Sequence, residues 1–124
     1  MLTTGVDLVS IPRLQRALDQ HGERFLARIY TPAEIWLCRG RVPELAARFA
    51  AKEAVAKALG VGMALLHPYG IHFPDVEVMP DRLGKPHVRL FGRAAERAAE
   101  LGLNEWAISL SHERELAIAM VVAQ

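Results

Sequence analysis

Apolar and polar positions follow two different periods along this chain, and the places where the period changes mark its elements. From Leu2 to Val9 the apolar residues are Leu2, Val6, Leu8 and Val9, with no helix-start signal before Ser10, which predicts a first strand with Asp7 at or near its end. Ser10 followed by Pro12 marks a helix N-terminus, with Leu14, Ala17 and Leu18 as the buried stripe and Gly22 as the stop. A further short helix is expected around Phe25 to Tyr30. In Thr31-Pro32-Ala33-Glu34 the threonine and the glutamate can each satisfy an orphan amide of a first turn, so a helix restarts there and runs toward Gly40. Pro43 to Leu59 is Ala-rich without a breaker and is closed by Gly60 and Gly62, which makes it the longest predicted helix.

Strands dominate the second half. Asp75 to Met79 and His87 to Phe91 alternate with period two around a turn holding Gly84 and Pro86, so they predict an antiparallel hairpin. Arg93 to Leu101 is an Ala-rich helix closed by Gly102. Trp106 to Ser111 and Leu116 to Val122 are the last two strands, joined by His112-Glu113-Arg114-Glu115. The near-continuous apolar run of the final strand predicts burial on both faces, and His67-Pro68-Tyr69-Gly70 is the expected mobile loop. The order describes an α+β fold in a single domain over residues 1–124, a mainly antiparallel sheet packed against one long Ala-rich helix and several shorter helices.

Composition narrows the class. Of 124 residues 52% are hydrophobic but only 6% aromatic, so the core is built mainly from Ala, Leu, Val and Ile. No apolar run approaches the ~20 residues that span a bilayer, and Met1-Leu2-Thr3-Thr4 lacks the regions of a secretory signal, so a soluble cytoplasmic protein with no membrane partner is expected. The single cysteine, Cys38, excludes an internal disulfide or a multi-cysteine metal site, and its neighbours Trp36 and Leu37 predict inert packing. The net charge of +1 divides unevenly: residues 1–60 carry nine Lys or Arg against six Asp or Glu, and residues 61–124 carry six against eight. A basic first half suits an acidic partner or a phosphorylated ligand, while the excess is too small for a dedicated nucleic-acid binder.

The candidate chemistry sits on the long helix, in Arg48-Phe49-Ala50-Ala51-Lys52-Glu53-Ala54-Val55-Ala56-Lys57. Its other positions are small or apolar, so four charges there ask for a local reason. Glu53 and Lys57 share one face, as do Arg48 and Lys52, each pair presenting a compact charged spot. An i,i+4 ion pair on a solvated stripe is the plain account of Glu53 and Lys57. Asp7 at a strand end offers another, because two carboxylates from different elements can hold one Mg²⁺ while leaving positions for phosphate oxygens and water. Arg13, Arg16, Arg24 and Arg28 form a second basic feature, either a solvated face or a docking face. His112 opens an exposed charged loop, while His21, His67, His72 and His87 have no metal-ligand spacing.

These residues resemble those of a known family, the holo-acyl-carrier-protein synthases. The likeness runs through Gly5-Val6-Asp7-Leu8, Arg24-Phe25, Thr31 to Glu34 and Arg48 to Ala54, then Asp75 to Val78, Gly84-Lys85-Pro86 and Ser109-Leu110-Ser111-His112. The resemblance implies a Mg²⁺-dependent transferase that moves 4′-phosphopantetheine from coenzyme A to a serine of apo-acyl carrier protein, releases 3′,5′-ADP and serves fatty acid or polyketide synthesis. It implies a homotrimer with an active site at each interface. By position it makes Asp7 and Glu53 metal ligands and Lys57 a pyrophosphate contact. Arg48 and His112 become contacts to the phosphates or adenosine end of coenzyme A, His112 from a neighbouring subunit. Arg13, Arg24, Phe25 and Arg28 become carrier contacts. Either Glu53 or a metal-bound water takes the serine proton. Two other readings remain open from the residues alone, a small nucleotide pyrophosphate hydrolase and a non-catalytic module using its arginine face.

Overall fold

In the computed structural model, which describes residues 1–124, the chain runs β1 (Thr3–Ser10), α1 (Ile11–Ile29), α2 (Pro32–Cys38), α3 (Val42–Ala58), a 3₁₀ turn (Phe73–Asp75), β2 (Val76–Pro80), β3 (Pro86–Leu90), α4 (Gly92–Leu101), β4 (Trp106–His112) and β5 (Leu116–Ala123). Strands β1, β5 and β4 form an antiparallel sheet in that order, and β2 and β3 form a separate antiparallel hairpin. No helix is long and apolar enough to cross a membrane.

Alanine explains why α3 lies at the centre. Its Ala50, Ala51, Ala54 and Ala58 are buried together with Ile108, Ala119, Val121 and Ala123 of the sheet. Small side chains let backbone approach backbone, and at Gly5 the approach is extreme: a Cβ there would lie 1.9 Å from the Ala54 carbonyl oxygen. Only glycine permits β1 to rest on the helix in this way. One turn further on, the Thr3 hydroxyl donates to the Ala58 carbonyl at 2.8 Å. The contact matters for function because Asp7, two residues along β1, is thereby held beside the middle of α3.

The predicted caps form. Ser10 accepts from the Arg13 amide at the start of α1, and Thr31 and Glu34 complete a reciprocal capping box at the start of α2. Gly22 interrupts the helix where its position predicts: its φ of 50 and ψ of −126 are non-helical and favour glycine, so α1 is two helical arms meeting at a kink, the second of them carrying the expected helix around Phe25 to Tyr30.

Within the protomer, the expectation that β5 is buried on both faces is overturned. Its residues alternate strictly between buried and exposed up to Val121, with Leu116, Ile118 and Met120 outward. The strand is central in its sheet, but α3 covers only one face. Val6 and Leu8 of β1 also point outward, with Met120 opposite Val6 and Ile118 opposite Leu8, so the uncovered face carries a continuous apolar patch.

The loop expected to be mobile is pinned at its base. Met63 bridges Ile71, Ala64 donates to the Ile71 carbonyl at 2.7 Å, and Ile71 donates to the Gly62 carbonyl at 3.0 Å. Cys38 is buried, and burial raises its thiol above the ordinary range, in keeping with inert packing.

Candidate active site

Resting β1 on α3 brings Asp7 to the helix face that carries Glu53 and Lys57. The ion pair expected along the helix is not made. Lys57 instead reaches across to β1, donating to Asp7 Oδ1 at 2.9 Å and to the Val6 carbonyl at 3.0 Å. Burial, and then the Asp7 carboxylate, push the Glu53 carboxyl above the usual range, with Lys57 acting in the opposite sense. A carboxyl whose charge is disfavoured by a neighbouring carboxylate is relieved by a shared cation, and the hard oxygens of the two residues suit Mg²⁺. No third carboxylate, histidine or cysteine joins them in a metal-binding cluster, so ligand oxygens and water would complete such a site.

Glu53 stands where two hollows meet. A polar one of about 380 Å³ is bordered by Asp7, Ser10, Arg13 and Glu53. A larger and mainly apolar cleft of about 770 Å³ opens on the other side, past Lys57, Arg28, His67 and His72. Phe25 and Phe49 line both hollows, and Phe73 continues the wall along the cleft. Their rings form a row, with Phe25 stacked on Phe49 at 6.4 Å between centroids and Phe49 tilted against Phe73 at 5.0 Å. The arrangement offers acidic oxygens and an ammonium at one end and an apolar groove for an uncharged arm at the other. Of the candidate docking residues, Arg13, Phe25 and Arg28 edge these hollows, whereas Arg24 is exposed and lines neither.

Arg48 and His112 gather elsewhere. Glu44 joins them: its Oε2 lies 3.0 Å from the Arg48 guanidinium and its Oε1 lies 3.6 Å from His112 Nε2. Nine residues of helix separate Glu44 from Glu53, roughly 14 Å of axis. Within one protomer the two clusters therefore do not form one site. Arg48 also does not present an open charged spot with Lys52. It is only 4% exposed and donates through Nε to the Val78 carbonyl at 3.1 Å.

Sequence reasoning passed over Glu44, Phe49 and Phe73. Glu44 stands four residues before Arg48, the spacing of an i,i+4 pair, but the aromatic row joins α1, α3 and the 3₁₀ turn and has no periodic signal.

This geometry coincides with a family-wide match. Residues 3–121 match the model of the 4′-phosphopantetheinyl transferase superfamily. The chain belongs to that superfamily. A holo-[acyl-carrier-protein] synthase of Herpetosiphon aurantiacus is 50% identical over 124 residues, covering 98% of each chain. Among solved structures, the Helicobacter pylori holo-[acyl-carrier-protein] synthase in complex with coenzyme A superposes with a TM-score of 0.86 at 31% identity, covering 98% of this chain and 99% of that one. The Neisseria meningitidis holo-[acyl-carrier-protein] synthase gives the same TM-score at 34% identity, covering 98% and 97%. The protein is thus a phosphopantetheinyl transferase with the α+β fold of this family.

Proposed function

We propose that this enzyme transfers 4′-phosphopantetheine from coenzyme A to a serine of an apo-acyl carrier protein, releasing 3′,5′-ADP, with Mg²⁺ held by Asp7 and Glu53. The observation that supports this most is the convergence of Asp7 with Glu53 and Lys57 at the junction of a polar hollow and an apolar cleft. Coenzyme A has the matching division, a pyrophosphate followed by a neutral pantetheine arm. When bound, Mg²⁺ would supply charge to neutralise the pyrophosphate oxygens.

The chain's own residues do the rest. Lys57 directs its ammonium from α3 toward Asp7 and can turn its remaining proton to a phosphate oxygen, stabilising charge that builds on the leaving group. The serine oxygen forms a bond to the pantetheine-linked phosphorus while the pyrophosphate bond to 3′,5′-ADP breaks. Glu53, at the junction of the two hollows, is the carboxylate of this chain placed to take the proton that the serine loses. Arg13 and Arg28, at the edges of the two hollows, face an acidic carrier arriving with its serine.

We also propose that the active species is a homotrimer. Support comes from the uncovered sheet face, where Val6, Leu8, Ile118 and Met120 expose more contiguous apolar surface than isolated surface residues would. His112 lies exposed at the end of β4 in the same sheet, so packing of copies through this face would let His112 of one subunit complete the site of the next.

Mass spectrometry of an apo carrier incubated with enzyme, coenzyme A and Mg²⁺ tests the reaction. The expected result is a gain of one phosphopantetheine per carrier, lost when Mg²⁺ is chelated. Cleavage of coenzyme A with no change in the carrier would replace the transferase reading by a hydrolase.

A further inference from the structure

The residue before Glu53 is a lysine with no access to solvent, and the proposed chemistry gives it no role. The side chains of Lys52 and its partner Glu34 are both 0% exposed. The Lys52 ammonium donates to Glu34 Oε1 at 2.7 Å, to the Phe73 carbonyl at 3.1 Å and to the Val76 carbonyl. The same Glu34 carboxylate accepts from the Thr31 amide at 2.9 Å and, through its other oxygen, from the Val78 amide at 2.9 Å. The Thr31 hydroxyl in turn donates to the buried Glu77 at 2.7 Å. One ammonium thus ties α2, the 3₁₀ turn and β2 to the turn of α3 that carries Glu53.

Stability by itself is a weak reason for such a pair. Replacing a buried ion pair by apolar residues of similar volume is often neutral or stabilising, because the desolvation of both charges is avoided. What a hydrogen-bonded ammonium adds is direction. It fixes the carbonyl of Phe73, and the Phe73 ring is the far member of the aromatic row, 5.0 Å from Phe49. Successive residues on a helix point about 100° apart. Lys52 accordingly faces the interior and straps down the cleft wall while Glu53 faces the hollows.

We infer that Lys52, together with Glu34, is a positioning residue that holds the Phe73 wall of the apolar cleft in register with Glu53, and so sets how the pantetheine arm of the donor is gripped. This deepens the transferase reading and rests on it. The arm is the only part of the donor that the wall would touch. Loosening the strap should therefore weaken binding of coenzyme A and leave binding of its arm-less fragment, 3′,5′-ADP, as it was.

Isothermal titration of both ligands in the presence of Mg²⁺ makes the test, on wild type, Lys52→Arg and the double variant Lys52→Met with Glu34→Gln. Lys52→Arg keeps the buried charge but offers a planar fork in place of a compact ammonium. The double variant removes both charges together. In each variant the Kd for coenzyme A should rise ~10-fold with that for 3′,5′-ADP unchanged, since small misplacement of a binding surface is costly. In steady state the KM for coenzyme A should rise more than kcat falls. A natively folded variant that loses both ligands equally, or neither, would overturn the inference and leave the pair a purely structural one. Failure of both variants to fold would also overturn it, as the network would then have no effect separable from folding. If the wild type bound no coenzyme A, the transferase reading itself would fall first.

Discussion

Two lysines five residues apart on α3 make ion pairs of nearly the same length in opposite surroundings. Lys52 lies 2.7 Å from Glu34 with both side chains 0% exposed, and Lys57 lies 2.9 Å from Asp7 with 55% and 19% of the side chains exposed. The sealed pair spends its donors and acceptors on its own chain. In the open pair, Asp7 and Lys57 border hollows and can exchange partners with a ligand. Distance alone does not separate a structural ion pair from a reactive one; access does.

Several substitutions would break this contrast or sharpen it. The largest effect is expected at the open end, where Asp7→Ala and Glu53→Ala should each lower turnover by orders of magnitude while the thermal midpoint stays near that of the wild type, because each removes a ligand and no core packing. Near-normal turnover in either variant would remove the metal assignment. At the sealed end, Lys52→Met alone leaves Glu34 as a buried unpaired carboxylate, and urea unfolding should show a loss of about 3–5 kcal/mol. A loss below about 1 kcal/mol would place that pair with ordinary surface pairs.

Lys57→Ala reverses the pattern. Its stability should fall by no more than about 1 kcal/mol, as for exposed pairs, while kcat drops roughly 10²-fold or more, as when a donor to developing negative charge is removed. The two lysine variants measured side by side give the cleanest form of the comparison. The smallest effect is expected at the docking face, where Arg13→Glu should raise the KM for the carrier a few-fold, more so at low salt, and Arg24→Glu, which lines neither hollow, should do less. Equal rises in the KM for carrier and for coenzyme A would make this face a solvated surface only.

Much of the frame was legible in the residues. The caps at Ser10 and Thr31, the glycine closing α4 and the alternation of the hairpin are local signals, satisfied within one or two turns of chain, and they form as read. The charges of α3, and Asp7 as a second carboxylate, were also visible, since charge on an otherwise small and apolar helix is conspicuous in any arrangement. Gly5 held a further clue that spacing alone left unread, a strand glycine two residues before Asp7 where a helix backbone comes within contact.

What escaped the sequence depended on what lies opposite a residue after folding. Gly22 marks the break in α1 as read, but the placement of the second arm beyond it goes with the packing of Phe25 and Ile29 against distant parts of the core. The apolar run of β5 is equally compatible with two covered faces or one, and the decision came from α3 covering a single side. Lys52 and Lys57 have the same side chain and the same helix, so nothing in the residues themselves separates them. Their different fates were decided by the elements that folding set against each: a carboxylate and two carbonyls closing over Lys52, and a strand edge beside open hollows at Lys57. Local chemistry is written along the chain, but solvent access is a property of the whole surface and exists only once distant segments have met.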